Sequence, residues 1–209
     1  MSKNLAPQCK QCRRVGEKLF LKGEKCQTQK CPVVRRPYPP GIHGPKGKQR
    51  QTDYGLQLQE KQKAKKFYNL LEKQFRLTIE KSKKQTGDVG ENFMRLLEMR
   101  LDNVIYRLGF AASHLEARQL VNHGHFTVNG KKVNIPSYQV AAGEVIKIKE
   151  ASKRAKVFKD IAEKAKKKQR PSWLNLDTVD LSAKVLHKPK KEDLTANINT
   201  QMIVEYYSR

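Results

Sequence analysis

The sequence predicts an α+β protein in which a basic, cysteine-bearing segment and a helical region precede a helix pair that leans on a small antiparallel sheet. Residues 101–108 place apolar side chains at i, i+3, i+4 and i+7, which is the spacing of one helical face. Asn129-Gly130 lies between runs of alternating apolar residues, a strong β-hairpin signal. All four cysteines and much of the positive charge lie in the first 50 residues.

Net charge is the first indication of function. The chain has 44 lysine and arginine residues against 20 acidic residues, a net charge of +24 in 209 residues. Because such a surplus repels itself unless a polyanion neutralises it, the composition favours a nucleic-acid partner. No apolar stretch approaches the roughly 20 residues of a spanning helix, and the amino terminus lacks the apolar core of a signal peptide. A membrane partner is therefore not expected.

Changes in composition along the chain predict three regions. Residues 1–50 form the cysteine segment and a basic arm. Residues 51–98, together with 189–209, form a helical domain. Residues 99–188 form an inserted module with a Lys-rich helix and a trailing hairpin.

The cysteines are spaced as two pairs that suit one metal ion. Cys9 and Cys12 form a C-x2-C pair, and Cys26 and Cys31 lie within a tight turn of each other. Four thiolates complete the shell of a structural zinc ion and leave no position open for catalysis. Disulfides or free thiols are the alternatives, but nothing marks the chain as secreted and cytosolic thiols stay reduced. We therefore expect one zinc ion, which would staple the basic segment.

Residues 32–51 are rich in proline and glycine, which predicts an extended arm without helix. This arm is too polar to bury enough apolar surface alone, so we expect a partner to order it. The helical domain follows, with an apolar stripe at Phe67, Leu70, Leu71, Phe75 and Ile79. Lys61 and Lys63 are predicted to face solvent beside that stripe.

The module itself begins with two helices. The first is predicted to end at Gly109, and the second to begin at Ser113 with Glu116 in a capping box. Short strands are predicted on both sides of the Asn-Gly turn, at Tyr138–Val140 and at Val145–Lys149. The helical spacing places a polar face opposite the apolar one, and we expect it to be an open, phosphate-binding surface formed by Arg100, Asn103, Arg107, Arg118 and Asn122.

Three features follow the module's first strands. Residues 151–170 predict a Lys-rich helix with a thin apolar stripe at Val157, Ile161 and Ala165. Its lysines form either a solvated face or a path for phosphates. Trp173 is expected to be a packing anchor, residues 176–188 predict a weak hairpin, and the apolar tail is expected to dock on the helical domain.

The chain resembles the family of bacterial small-subunit ribosomal protein four, in its cysteine-bearing, zinc-binding form, over essentially the full length. The module carries RLDNVIYRLGF, EARQLV, HGHFTVNG and SYQV, and the rest carries GEKLFLKG, YGLQLQEKQK, LEKQFR, GENFMRLLEMRLDN, PSWL and LTANINTQMIVEYYSR. It departs from the commonest family pattern at His114, where many relatives carry arginine.

This resemblance implies a structural ribosomal protein rather than an enzyme. It implies primary binding to the 5′ domain of 16S ribosomal RNA, early in assembly, on a cytoplasmic or an organellar ribosome. The implied neighbours are small-subunit protein five, at an interface that affects decoding accuracy, and messenger RNA where it enters the subunit. Lys46, Lys48 and Arg50 match the family's basic residues at that point. No small-molecule substrate is implied.

The complete set of expected RNA-binding residues combines the basic segment, the arm and the module. It comprises Arg13, Arg14, Arg35, Arg36, Lys46, Lys48, Arg50, Arg100, Asn103, Arg107, Arg118, Asn122, His123, His125, Asn129 and Lys131. Two alternatives use the same module: an RNA-modifying enzyme and a zinc-dependent nucleic-acid-binding regulator. The enzyme would need a further catalytic domain, and the regulator a recognition helix beside the metal. The sequence predicts neither.

Overall fold

The computed structural model describes residues 6–47, 50–155, 168–178, 180–194 and 197–209, together with Phe158, Ile161 and Ala165. Two compact units divide the chain, Met1–Phe93 with Ala196–Arg209 and Met94–Thr195. The first unit is helical, and the second combines helices with one antiparallel sheet. The expected combination of a helical part with a helix pair and a small sheet is therefore confirmed.

The helices, in chain order, are α1 (Gln8–Val15), α2 (Pro32–Arg35), α3 (Asp53–Phe67), α4 (Glu72–Lys83), α5 (Val89–Glu98), α6 (Leu101–Leu108), α7 (His114–Asn122), α8 (Glu150–Lys153) and α9 (Thr200–Tyr206). Short 3₁₀ turns lie at Gly23–Cys26, Gly44–Lys46 and Lys191–Asp193. Within the described part of the chain, no helix is both long enough and apolar enough to cross a membrane.

A buried aromatic pair lies in the core of the first unit. Phe75 of α4 meets Phe93 of α5 edge to face, with ring centroids 5.1 Å apart, and both rings are fully buried. Helix α9 packs along α3, where the side-chain amide of Gln57 donates to Glu205 (Nε2–Oε2 2.9 Å). The prediction that the tail docks on the helical region is confirmed.

Two lysines of α3 lie where the sequence does not place them. Lys61 and Lys63 were expected in solvent, but both are 5% exposed. Their ammonium groups contact carboxylates, Lys61 to Glu72 at 2.6 Å and Lys63 to Glu17 at 2.9 Å. The reason for the correction is that a long lysine stem covers apolar surface well once its charge is paired.

The arm also differs from its prediction, because α2 forms one helical turn within it. Pro32 occupies the first position of α2, where a missing N–H leaves no hydrogen bond unmade. A 3₁₀ turn at Gly44–Lys46 adds a second ordered piece. Proline thus starts the helix here instead of excluding it.

The helix pair of the second unit follows its local sequence signals. Helix α6 ends at Gly109, which has φ +86° and takes the left-handed conformation that glycine adopts without a steric cost. Helix α7 begins after Ser113, whose hydroxyl accepts from the Glu116 N–H at 3.3 Å. The Glu116 carboxylate accepts from Ala112 N–H at 2.7 Å rather than from Ser113. Both predicted helix boundaries are confirmed, with the capping box displaced by one residue.

The sheet has five antiparallel strands in the order β2-β1-β3-β5-β4. They are β1 (Phe126–Val128), β2 (Lys131–Lys132), β3 (Val145–Ile148), β4 (Leu174–Asp177) and β5 (Ser182–Val185). The β1–β2 turn has positive φ at Asn129 (+48°) and Gly130 (+79°), as an Asn-Gly hairpin requires. The first hairpin is confirmed, and a trailing hairpin is present as well, although it spans 174–185 rather than the predicted 176–188.

One predicted strand is absent from this sheet. Residues 138–140 bond to the α5–α6 junction instead, where the Leu101 N–H donates to the Tyr138 carbonyl oxygen and the Val140 N–H to the Met99 carbonyl oxygen, both at 2.9 Å. Only an isolated bridge between Arg100 and Gln139 results. Strand β2 is also shorter than its pattern suggests, since beyond it the chain turns to α6, where the Asp102 N–H donates to the Pro136 carbonyl oxygen at 3.2 Å.

The core of the second unit lies between the helix pair and the inner face of the sheet. It includes Phe110, Phe126, Ile146 and a fully buried Trp173, which is the expected packing anchor. Of the predicted Lys-rich helix, the structure describes residues 151–155, which include most of α8, residues 168–170, and the buried residues Phe158, Ile161 and Ala165. Val157 and most of the lysines lie outside the described residues.

The Asn-Gly turn provides a direct test of the hairpin. Gly130→Ala should lower the free energy of unfolding by about 1 kcal/mol, because a side chain at positive φ is disfavoured. None of the described atoms lies within 4 Å of an added Cβ, so backbone conformation alone causes the loss. Gly130→Asn is the control and should lose less, since asparagine tolerates this conformation. Urea unfolding measures both, and an alanine variant as stable as wild type would contradict the turn.

Candidate nucleic-acid interface and cysteine cluster

All four cysteines line one small cavity of about 10 Å³. The cavity lies between α1, the 3₁₀ turn at Gly23–Cys26 and the start of α2, with Leu21 and Val33 completing its wall. All four cysteines are free thiols; Cys12, Cys26 and Cys31 are buried and Cys9 is half-buried. The backbone N–H of Lys22 donates to Cys26 Sγ at 3.4 Å. The sequence spacing therefore does bring the two pairs to one place.

The cavity is unfavourable for thiolates without a cation. Burial raises the pKa of Cys12 and Cys26, and the neighbouring thiols raise it further. Backbone hydrogen bonds act in the opposite direction. Among the described residues, no group of three or more His, Cys, Asp or Glu side chains has the arrangement of a metal site. The donor set nevertheless suits zinc in type and number.

Arg13 and Arg14, neighbours in sequence, have different surroundings. The guanidinium of Arg13 donates to three carbonyl oxygens, those of Arg36 (3.1 Å), Tyr38 (3.0 Å) and Pro39 (3.3 Å). It also lies over the Tyr38 ring, 4.9 Å from the centroid. Arg13 therefore anchors the arm, whereas Arg14 is exposed.

The other basic residues described in the arm are exposed. Arg35, Arg36, Lys46 and Arg50 all face solvent. Lys48, predicted with them, lies outside the described residues. The arm therefore presents unburied cations on both sides of the Gly44–Lys46 turn.

The arginines of the helix pair are not on an open face, which corrects the expectation from helical spacing. Arg100 is 4% exposed and donates twice to Asp102, with Nε–Oδ1 3.1 Å and Nη2–Oδ2 2.8 Å. Arg118 is 6% exposed and reaches the same carboxylate at 3.4 Å. Buried charges of this kind are stable only when paired. The spacing identified the shared face correctly but did not show that it is covered.

A second buried carboxylate, Glu98, holds two further polar residues of that face, Asn103 and Arg107. Arg107 donates to it twice, with Nε–Oε2 2.9 Å and Nη2–Oε1 2.6 Å. Asn103, 1% exposed, donates to Glu98 Oε2 at 2.7 Å and to its carbonyl oxygen at 2.9 Å. The sequence expectation assigned no role to Glu98, and no local spacing pattern would have revealed it.

His114 is buried beside this network. Since the Asn103 amide nitrogen donates to Glu98, its oxygen accepts from His114 Nε2 at 3.0 Å. The imidazole lies against the Tyr106 ring, with centroids 3.9 Å apart. Burial first, and then the charges of Arg107 and Lys168, hold the pKa of His114 well below its ordinary value of 6.5. The imidazole is therefore neutral.

Lys168 also contacts Tyr106. Its ammonium group lies 3.5 Å from the ring centroid and donates to the Tyr106 carbonyl oxygen. Burial, with the charge of Arg107, lowers the pKa of Lys168 to about 8. This lysine supports the helix pair from within rather than facing a ligand.

The other predicted residues of the module lie near the sheet. His123, Asn129 and Lys131 are exposed, and Asn122 is half-buried. Asn129 uses its side-chain oxygen to accept from Val145 N–H at 2.9 Å, which joins the hairpin to β3. His125 contacts Ser152, with Nδ1–Oγ 2.9 Å. Of these side chains, Asn129 and His125 are thus already engaged within the protein.

Three exposed lysines of the module lie instead on the outer face of the sheet. Lys132, Lys147 and Lys184 are all exposed, while their neighbours Ile146, Ile148 and Ala183 are buried. The registers place Lys132 and Lys147 opposite Thr127 on its two sides, and Lys184 opposite Val145. Sequence reasoning missed these lysines, although the alternation in VIKI and SAKV carried the signal.

A helix pair on a small sheet with a lysine-bearing outer face defines a class, that of basic nucleic-acid-binding modules. Comparison with known proteins narrows it. Residues 3–98 match the family described as "Ribosomal protein S4/S9 N-terminal domain", and residues 99–146 match the "S4 domain".

Full-length relatives agree with these matches. The chain is 53% identical over 209 residues to small ribosomal subunit protein uS4 of Heliobacterium modesticaldum, covering 100% of both chains. It is equally similar to that of Caldicellulosiruptor saccharolyticus, and 55% identical over 201 residues to uS4A of Alkaliphilus oremlandii, covering 96% of each chain. The chain therefore belongs to the uS4 family of small-subunit ribosomal proteins. The resemblance to this family is confirmed, as is the prediction of a ribosomal protein rather than an enzyme, whereas the zinc-binding form stays a prediction.

The Glu98 network gives a stability prediction. Glu98→Ala should lower the free energy of unfolding by about 3–5 kcal/mol, because it leaves a buried guanidinium and amide without their carboxylate. The matched control is Glu80→Ala, which removes one partner of the exposed Arg76–Glu80 pair (3.0 Å) and should cost at most about 1 kcal/mol. Denaturant unfolding of both variants decides the matter. Equal losses would mean that the buried network contributes no more than a surface pair.

His114 gives a pH prediction. Its pKa is lower in the folded than in the unfolded chain, so the unfolded state binds more protons and stability falls as pH drops below about 6.5. His114→Gln keeps a polar group near Asn103 but cannot titrate, so its stability should change less between about pH 7 and pH 5. Thermal unfolding across that range measures both proteins. Parallel pH profiles would show that His114 does not titrate on unfolding.

Proposed function

We propose that this chain is a structural protein of the small ribosomal subunit that binds 16S ribosomal RNA. The proposal depends on one observation above the others, the similarity along the entire chain to small ribosomal subunit proteins. The net charge of +24 supports it, because neutralising RNA phosphates releases counterions and drives binding. By its resemblance, the chain acts as a primary binder of the 5′ domain and nucleates assembly on the cytoplasmic ribosome.

The geometry divides the residues proposed to act in RNA binding into two groups with different roles. We assign direct phosphate contacts to the exposed cations, which are Arg14, Arg35, Arg36, Lys46, Arg50, Lys131, Lys132, Lys147 and Lys184. We assign a supporting role to the residues that are buried or half-buried and already hydrogen-bonded within the protein, which are Arg13, Arg100, Asn103, Arg107 and Arg118. Binding through backbone phosphates suits RNA, which is recognised largely by shape.

Two further partners follow from the resemblance. Messenger RNA would pass the arm, where Lys46 and Arg50 are exposed, and Lys48 is part of the same proposal. Small-subunit protein five would be a protein neighbour, with an effect on decoding accuracy. The competing function, a zinc-dependent regulator, has no observation in its favour beyond the cysteines, since the sequence between the pairs forms no recognition helix.

We also propose one structural zinc ion, held by Cys9, Cys12, Cys26 and Cys31. Their convergence on one cavity and the N–H donor directed at Cys26 support it. When bound, a dication stabilises the thiolate forms that burial disfavours. It would also staple α1 to the segments that carry Cys26 and Cys31.

The test of the main proposal is cosedimentation. The cellular protein should travel with small ribosomal subunits in a sucrose gradient, and the purified protein should bind a transcript of the 16S 5′ domain. A protein found only at the top of the gradient, with no affinity for the transcript, would overturn it.

The outer face of the sheet gives a variant prediction. Replacing Lys147 and Lys184 together by glutamine should flatten the log–log salt dependence of transcript binding by roughly 0.7–0.9 per lysine. Folding should be unaffected, because both side chains are exposed. The charge-matched control replaces Lys73 and Lys81, which are exposed on α4. Filter binding across a salt series measures all three proteins, and coincident curves would remove the sheet face from the interface.

The zinc proposal predicts about one zinc ion per purified chain by elemental analysis. Because metal binding supplies folding free energy, Cys12→Ser should lose the metal and make the first 47 residues more sensitive to protease. Wild-type protein treated with a chelator is the matched comparison. Metal-free wild-type protein that stays equally protease-resistant would contradict a structural role.

A further inference from the structure

A large basic cleft lies between α1 and α3, within the first unit. Its volume is about 640 Å³. Two facing rows of side chains line it, Lys10 and Arg14 from α1 and Gln62 and Lys66 from α3, each pair spaced i, i+4 on its helix. Lys65 and Glu72 are also part of the lining, and the name α1–α3 cleft is used for this site.

The cleft has a surplus of positive charge that the protein does not neutralise. Four basic side chains and one carboxylate, Glu72, line it. That carboxylate is already engaged by Lys61 at 2.6 Å, Lys65 at 2.7 Å and the Tyr207 hydroxyl at 2.7 Å. Although burial acts in the opposite direction, these hydrogen bonds lower the pKa of Glu72 to about 2, so it stays ionised and occupied.

Lys10, Arg14 and Lys66 therefore remain for a ligand. None of them has a carboxylate within ion-pair distance among the described residues. Lys66 is half-buried, and burial followed by the charges of Arg14 and Lys65 lowers its pKa. Three cations converging without a counter-charge are unfavourable in the free protein and become favourable when an anion enters.

The shape and chemistry of the lining favour one kind of anion. A volume of about 640 Å³ far exceeds a single phosphate ion and suits a polymer segment that brings several phosphates. Among the described residues that line the cleft none is aromatic, so they offer no surface on which a base would stack. A free nucleotide would lack its usual base contact here, whereas an RNA backbone needs only the cations.

We propose that the α1–α3 cleft binds RNA backbone phosphates through Lys10, Arg14 and Lys66. This inference rests on the proposed function and adds a second contact area, on the helical unit, to the sheet face of the module. Of its residues, only Arg14 belongs to the set expected from the sequence. Lys10 and Lys66 are new assignments.

The test compares a cleft variant, Lys10→Gln with Lys66→Gln, with wild type and with the charge-matched control Lys73→Gln with Lys81→Gln. Binding to the 16S 5′-domain transcript should weaken about tenfold in the cleft variant at roughly 0.1 M salt, and the log–log salt slope should fall by about one to two units. The control should change far less. If wild type binds the transcript and the two variants give coincident curves, the cleft is not an RNA-binding site and the proposed function is unaffected. Failure of wild type to bind overturns both.

A second measurement on wild-type protein removes any dependence on the variant's folding. Amine-reactive labelling should be slower at Lys10 and Lys66 when the transcript is bound, and unchanged at Lys73 and Lys81. Unchanged labelling at the cleft lysines overturns the proposal. Inorganic phosphate at matched ionic strength is the third arm. Protection of Lys66 by phosphate as strong as that by RNA would assign the cleft to a free anion and overturn the RNA assignment.

Discussion

Two buried carboxylates, Glu98 and Asp102, hold three arginines and an asparagine at the junction of α5 and α6. Taking these charges out of water is costly, and paired hydrogen bonds offset that cost only when the geometry is good. The network therefore contributes less to stability than its number of contacts suggests. Its larger effect is to define how α6 and α7 meet, because any other packing would leave a charge buried alone. The inner face of the sheet therefore packs on two helices whose relative arrangement is already defined.

The same use of carboxylates recurs in the first unit. Glu17 and Glu72 contact Lys63 and Lys61, which are buried on α3. In a chain with more than twice as many basic as acidic residues, acids placed on buried cations are not available to neutralise surface ones. The outer sheet face, the arm and the α1–α3 cleft consequently keep their positive charge. The placement of the acidic residues thus explains both the ion pairs of the buried lysines and the positive charge left on the surface for RNA.

Sequence reasoning succeeded where the signal is local. Gly109, Ser113 and Asn129-Gly130 each act through conformations of a few neighbouring residues, and the helix ends and the hairpin were predicted accordingly. The arginine face was misjudged because periodicity shows which side chains share a face, not what covers it. Glu98 covers Arg107, Asp102 covers Arg100 and Arg118, and no periodic pattern links Glu98 to Arg107. The cysteine spacing correctly predicted that the two pairs share one cavity. The alternation of apolar and polar residues in β3 and β5 would have indicated that Lys147 and Lys184 are exposed, but it was not used.

The contacts of Arg13 have a consequence for substitutions that keep its charge. Its planar fork donates to three carbonyl oxygens of residues 36, 38 and 39 at once, which a lysine ammonium with a single nitrogen does not reproduce. A lysine at this position would conserve every unit of charge and still release the base of the arm from α1. A substitution at this position can therefore change the conformational entropy that the arm loses on binding a polyanion while leaving the electrostatic attraction between them unchanged.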